Sequence, residues 1–174
     1  MLTIGDKFPK FCKSAVLPNK EFGDITNNDH KKEGKWMVMF WYPKDFTFIC
    51  PTEIIEFNNQ HDKFLNLNTV LFGASTDTED VHLAWRLNDK NLNELRFPLI
   101  ADTSKSLSKK LGILQPSKIA FRATFIVDSK GIIQWINVNN DSTGRNVAEV
   151  LRALEATQTE GKTACDWVPG QDTL

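Results

Sequence analysis

The stretch "WMVMFWYPKDFTFICPTEI", residues 36–54, decides how the rest of the chain is read. Its first seven residues, Trp36 to Tyr42, are an unbroken apolar run flanked by Gly34 and Pro43. A run of that length between turn residues predicts a strand covered on both faces. Pro51 is tolerated only near the start of a helix, so Cys50 falls in or just before a first helical turn. A buried strand therefore leads, through a short loop, to a helix with a cysteine at its start. A C-x-x-C pair would need a second cysteine at position 53, and Glu53 stands there instead.

Working outward, residues 5–11 read as irregular and Lys13 to Leu17 as a short strand. Residues 18–35, rich in Asn, Asp, Gly and Lys, read as loop, with Lys31 to Lys35 a solvated turn. Downstream, residues 52–66 predict one helix with Ile54, Phe57, His61, Phe64 and Leu65 near one face. "TVLFGAS" (69–75) predicts a second buried strand. A helix over 78–88 turns Val81, Trp85 and Leu87 inward, and a short strand lies within "FPLIAD" (97–102). Residues 104–111 form a short helix ended by Gly112. Strands over 121–128 and 132–138 meet at Asp128-Ser129-Lys130-Gly131, a hairpin signal. Asn146 and Glu149 have capping-box spacing, ahead of a helical stripe of Val147, Val150, Leu151 and Leu154. Strands alternating with helices, then a hairpin and a closing helix, predict an α/β sandwich with a mixed central sheet flanked by helices. Thioredoxin-like architecture fits that order, with residues 1–158 as the domain and 159–174 as a polar C-terminal tail carrying Cys165 and Trp167.

The totals narrow the function. A chain of 174 residues, 41% hydrophobic and 25% charged, reads as one soluble globular domain. A net charge of −1 gives no reason to expect nucleic acid or an anionic membrane as partner. No signal peptide is evident at the start, and no apolar run reaches the length of about 20 residues that a membrane helix needs. Cys12, Cys50 and Cys165 are too few, and odd in number, for a secreted disulfide framework, which points to the reducing cytoplasm. His30, His61 and His82 lie at no zinc-ligand spacing, so neither a metal nor a cofactor is expected.

Cys50 in isolation reads as a small buried hydrophobe. Its place at a helix start changes that reading, because unpaired N–H groups and the dipole there favour a thiolate, the nucleophilic form. Thr47 lies three residues before it and Pro43 four before Thr47. Taken together, Pro43-x-x-x-Thr47-x-x-Cys50 resembles the active-site motif of the peroxiredoxins. "GDKFPKF", "FWYPKDFTFICPTE", "FPLIAD", "RATFIVD" and "GRNVAEVLRAL" extend the resemblance along nearly the whole chain, to the alkyl hydroperoxide reductase C branch of typical two-cysteine enzymes.

That resemblance implies a thiol-dependent peroxidase reducing hydrogen peroxide and organic hydroperoxides. Cys50 is then the peroxidatic cysteine, oxidised to a sulfenic acid. Arg122 stabilises its thiolate and binds the peroxide oxygens, Thr47 hydrogen-bonds thiolate and peroxide through its hydroxyl, and Pro43 shields the site from water. Glu53 and Arg145 match supporting positions that orient Arg122. Cys165 matches the resolving position, although Ala164-Cys165-Asp166 replaces the usual Val-Cys-Pro and Thr163 stands where some members carry another cysteine. Cys12 matches no catalytic position and reads as structural; Trp85 reads as core. The resemblance further implies a homodimer closing into a decameric ring. It also implies a dithiol reductant: thioredoxin, a flavoprotein disulfide reductase or a C-x-x-C carboxymuconolactone-decarboxylase-like protein. No Gly-Gly-Leu-Gly insert occurs in "LNDKNLNELR" (87–96), and "DWVPGQDTL" after Cys165 lacks a Tyr-Phe helix, so fast resolution and resistance to over-oxidation are expected. Two rivals are a thioredoxin-type reductase, which lacks its C-x-x-C here, and a non-enzymatic chaperone ring.

Overall fold

The chain forms seven strands and seven helices. In order they are β1 (Cys12–Val16), β2 (Phe22–Thr26), α1 (Asp29–Lys32), β3 (Trp36–Trp41), α2 (Ile49–Asn59), α3 (His61–Asn66), β4 (Thr69–Ser75), α4 (Glu79–Asn88), α5 (Lys90–Asn93), β5 (Leu99–Ala101), α6 (Ser106–Leu111), β6 (Arg122–Val127), β7 (Ile133–Asn139) and α7 (Val147–Gln158). They are taken from a computed structural model that describes residues 1–174. All strands join one sheet in the order β2-β1-β5-β4-β3-β6-β7. β3, β4 and β5 run parallel, while β6, β7, β1 and β2 pair antiparallel, which makes the sheet mixed.

β3 shows why the apolar run had to be central. Successive side chains of a strand point to opposite faces. Val38, Phe40 and Tyr42 enter one core cluster with Ile54, Phe57, Val150 and Leu154. Met37, Met39 and Trp41 enter the other with Phe8, Phe11, Leu107 and Leu111. Residues on both faces are fully buried, so no polar alternation is possible. Phe40 stacks on Phe57 with ring centroids 4.0 Å apart; truncating such a ring costs about 3–5 kcal/mol. Gly73 on β4 is required by close approach: a Cβ there would lie 2.8 Å from Leu99 and 2.9 Å from Phe40.

The chain ends of these elements carry the expected caps. Thr78 accepts from the Val81 N–H at 3.2 Å and Asn146 from the Glu149 N–H at 3.2 Å. The capping box at Asn146 is only half formed, because the Glu149 carboxylate binds Arg152 instead. Gly112 closes α6 at φ 75°, the left-handed cap that glycine accepts without strain. The β6–β7 hairpin turns where expected, closed by the Asp128 and Gly131 backbone.

Several expectations change. Residues 18–35 are not all loop. β2 and α1 lie there, and β2 has only Ile25 buried because it is an edge strand held by its ladder to β1. The helix read over 52–66 is two, α2 and α3, broken at Gln60, and it starts earlier, at Ile49. Leu65 and Leu87 face solvent, while His82 and Arg86 are buried on α4 instead. Arg86 escapes the usual exposure of its type by donating to the carbonyls of Leu17, Pro18, Leu92, Asn93 and Leu95. α5 was also unread. Cys12, read as structural, is exposed at the start of β1. No helix is long and apolar enough to cross a membrane.

Candidate active site

The C-terminal end of β3 is the natural place for a site, because loops leaving parallel strands there can converge. Three elements meet at this edge. β3 hands over to the Pro43–Thr47 loop and then to α2, whose first turn carries Cys50. β6 runs antiparallel beside β3 with Thr124 opposite Phe40. Arg122, two residues earlier on β6, therefore lies level with the strand end. Glu53 is one turn beyond Cys50, on the same helix face. Arg145 comes from the segment just before α7.

These residues form a buried charge cluster. The Arg122 guanidinium donates through Nη1 to Cys50 Sγ at 3.3 Å and to Glu53 Oε2 at 2.8 Å. Its Nε donates to the Asp141 carbonyl at 2.8 Å, which fixes the plane of the fork. Glu53 is held from the other side by Arg145, which donates from its backbone N at 2.9 Å, Nε at 3.0 Å and Nη2 at 2.8 Å. Arg145 Nη1 reaches the Ala123 carbonyl at 3.0 Å and Thr124 Oγ1 at 3.3 Å. The Arg145 guanidinium also lies 5.3 Å from the Phe40 ring centroid, a cation–π contact that needs no water. Cys50 is 0% exposed and Arg122 and Glu53 are each 4% exposed.

The charges decide what this cluster favours. Two guanidiniums face one carboxylate, leaving one positive charge in a dry site, and a Cys50 thiolate balances it. Burial alone works to lower the Arg122 pKa, but the Cys50 hydrogen bond and charge and the Glu53 carboxylate outweigh it and hold Arg122 above its ordinary value. Burial lowers the pKa of Arg145 despite Glu53. Each cation is thus tied to the anions around it, and Glu53 orients both.

Of the residues expected from sequence, Cys50, Arg122, Glu53 and Arg145 are in direct contact. Pro43 is buried and Thr47 half-buried in the loop above them. The Thr47 hydroxyl donates to the Lys44 carbonyl at 2.9 Å, so its lone pairs, not its proton, are left for other partners. Trp85 is buried and packs against Phe46, with ring centroids 5.9 Å apart. It is core, as expected, yet it also lines a cleft of about 440 Å³ with Thr47 and Phe46. Cys165 stands apart, exposed on the tail. Next to it, Trp167 is buried against α7, where its carbonyl accepts from Arg152 at 3.1 Å. Sequence reasoning missed the Asp141 carbonyl and the Thr124 hydroxyl, which no residue pattern marks. It also missed the buried Asp45 within the loop and Tyr42 and His82 beneath it, for which His82 at an inward helical position was the available signal.

The AhpC/TSA family profile matches residues 4–136. The chain belongs to that family. It is 40% identical to alkyl hydroperoxide reductase C of Mycolicibacterium smegmatis, over all of this chain (100%) and 94% of that protein. It is 40% identical to peroxiredoxin-1 of Gallus gallus, over 98% of this chain and 89% of that one. Among solved structures, reduced 2-Cys peroxiredoxin of Plasmodium vivax superposes with a TM-score of 0.93 at 32% identity, covering 99% of this chain and 93% of that one. AhpC of Mycobacterium tuberculosis superposes with a TM-score of 0.87 at 40% identity, covering 96% and 99%. The thioredoxin-like fold and the identity as a thiol-dependent peroxidase of the peroxiredoxin type follow.

Proposed function

We propose that Cys50 carries the peroxidase chemistry and that Cys165 resolves it. The observation that carries this reading is the Arg122 fork, bound to Cys50 and to Glu53 at once. The Cys50 thiolate attacks the terminal oxygen of a hydroperoxide, the O–O bond breaks, and the remaining oxygen leaves as water or alcohol after gaining a proton. Cys50 is then a sulfenic acid. Arg122 Nη2, which has no protein acceptor, is free to hold the peroxide oxygens as charge moves along the O–O bond. This is preorganised electrostatic stabilisation. Thr47 supplies hydroxyl lone pairs to the attacked peroxide, and Pro43 covers the site.

In the second step the Cys165 thiol attacks the Cys50 sulfenic sulfur and water leaves, forming a disulfide. A disulfide needs Cα atoms within about 7 Å. Cys50 is fully buried and Cys165 exposed, so the first turn of α2 unwinds before they meet. A dithiol protein then reduces the bond. We assign that role to thioredoxin, a flavoprotein disulfide reductase or a C-x-x-C carboxymuconolactone-decarboxylase-like protein. Hydrogen peroxide and organic hydroperoxides are the proposed substrates, the reducing cytoplasm the proposed location, and a homodimer closing into a decameric ring the proposed assembly. The chain works in two parts, residues 1–158 holding the site and residues 159–174 delivering Cys165. The end of α7 at Gln158 and the mostly exposed tail support that division. The test is peroxide consumption by the reduced protein with a dithiol reductant. Loss of turnover in both Cys50→Ser and Cys165→Ser supports the reading, and full turnover in Cys50→Ser refutes it.

A further inference from the structure

We propose that Asp45 and His82, joined by one shared proton, are positioning residues that clamp the Pro43–Thr47 loop in the shape peroxide attack requires. The proposal rests on Cys50 being the attacking thiol. Asp45 sits in the middle of that loop and is 2% exposed; His82, on α4, is 0% exposed. Asp45 Oδ2 lies 2.6 Å from His82 Nδ1, and Asp45 Oδ1 accepts from the Tyr42 hydroxyl at 2.8 Å. The Asp45 backbone N–H donates to Asp77 Oδ2 at 2.9 Å. His82 Nε2 lies 3.0 Å from the Ile100 carbonyl.

The protons can be counted. A carbonyl only accepts, so Nε2 carries a hydrogen. One more proton lies between Nδ1 and Oδ2, on nitrogen or on oxygen. In either form the pair is neutral overall. Removing that proton sets a nitrogen lone pair against a carboxylate oxygen in a dry site, with nothing to solvate the charge left behind. The other titratable groups facing the pair are Tyr42, just beyond β3, and Asp77 from the β4–α4 turn; β5 offers only a carbonyl. The Asp77 charge favours keeping the proton on the pair. Burial works to discharge His82, but the Asp45 hydrogen bond and charge outweigh it and raise its pKa above the usual histidine range. Tyr42 is raised well above its usual value by burial and by Asp45, so it stays a donor.

The loop needs such a clamp. Phe46, next to Asp45, has φ 57°, a left-handed conformation that strains a bulky residue and persists only where the surroundings enforce it. The Thr47 hydroxyl on the Lys44 carbonyl closes the same turn. α4 supports it from below with His82 and, one turn on, Trp85 against the Phe46 ring. A histidine whose pKa is raised by folding gives its full stabilisation below the unfolded value and loses it as pH rises through the folded one. The loop therefore relaxes on the alkaline side. The rate of peroxide attack falls there, which thiol ionisation alone cannot produce, since more thiolate means faster attack.

The test follows oxidation of Cys50 by mass spectrometry, with stopped-flow rates for hydrogen peroxide across pH, in the reduced full chain, D45A and D45N. In D45N the amide donates to His82 Nδ1 and its oxygen accepts from Tyr42, so the bonds persist without a titrating proton. D45A is expected to slow attack by about 100-fold while circular dichroism stays native, as misplaced catalytic groups do. D45N recovers most of that loss and lacks the alkaline fall. If D45A does not fold, D45N decides: an alkaline fall equal to the wild type's overturns the clamp. So does attack at the wild-type rate in D45A, or a wild-type profile with no alkaline fall. A wild type whose Cys50 is untouched by peroxide overturns the Cys50 assignment itself, and the clamp with it.

Discussion

Replacing Arg122 by Ala separates chemistry from folding. It removes three hydrogen bonds, those to Cys50, Glu53 and the Asp141 carbonyl. Glu53 still keeps three bonds from Arg145, and its charge stays balanced by that guanidinium. The fold therefore survives, because no buried carboxylate is orphaned. Cys50 loses its only hydrogen-bond donor in the cluster and its compensating charge. Loss of one such preorganised donor costs about 2.7–4 kcal/mol of barrier, or about 100- to 1,000-fold in rate. Arg122→Lys keeps the charge but not the fork, and one ammonium cannot serve Cys50, Glu53 and Asp141 with the same geometry, so its rate lies closer to Ala than to wild type. The assay is the second-order rate constant of the reduced protein with hydrogen peroxide, followed by tryptophan fluorescence, beside urea unfolding of each variant. A rate constant within about threefold of wild type in a folded Arg122→Ala, far short of the loss expected for a removed donor, refutes the role given to Arg122.

Other outcomes follow from the same geometry. Glu53→Gln leaves two buried guanidiniums without their carboxylate and is expected to cost about 3–5 kcal/mol of stability by urea unfolding, more than Arg122→Ala does. Asp102 is buried, and although burial alone would raise its pKa, Lys13 at 2.7 Å and the Leu107 and Ser108 donors hold it below the usual carboxylate range. Its stabilisation is therefore present above the unfolded carboxylate range and is lost as pH falls through the lower folded value; Asp102→Asn should flatten the acid limb of the stability–pH curve. Cys165→Ser, with no thiol to intercept the sulfenic acid, should accumulate Cys50 sulfinic acid under millimolar peroxide while the wild type does not; equal accumulation in both removes Cys165 from the mechanism. Sedimentation of the reduced protein at micromolar concentration should show a dimer or a ring of dimers, and a monomer in both redox states contradicts the proposed assembly.

How much was legible in the chain depends on how local the signal was. The run from Trp36 to Tyr42 announced a two-sided strand, because seven apolar residues in a row have no solvent face to offer. Pro51 placed Cys50 in the first turn of α2 for the same kind of local reason. β2 was hidden because an edge strand held by its ladder needs little apolar content, and FGDIT has little. The split at Gln60 was invisible since both helices keep the same apolar spacing. Nothing local marked Arg86 as buried, because a guanidinium surrounded by backbone carbonyls from distant segments is a tertiary fact. At the site, the helix start singled out Cys50, whereas Pro43, Thr47 and Arg122 were readable only through the resemblance of their pattern. Their contacts depend on the register of β3 against β6, which sets Arg122 level with the strand end. The Asp45–His82 pair spans 37 residues, and although His82 stands at an inward helical position, nothing in the sequence points it at Asp45.

Whether Cys50 Sγ is the atom oxidised by peroxide, and the Cys165 thiol the group that attacks its sulfenic acid, is open to direct measurement. The most direct measurement treats the reduced protein with one equivalent of peroxide in the presence of a sulfenic-acid trap, then maps every cysteine by mass spectrometry in wild type, Cys50→Ser and Cys165→Ser. The expected result is a Cys50–Cys165 disulfide in the wild type, trapped sulfenic acid on Cys50 alone in Cys165→Ser, and no oxidation beyond background in Cys50→Ser. Sulfenic acid on Cys12 or Cys165 in the Cys50→Ser protein, formed as fast as Cys50 oxidises in the wild type, contradicts it.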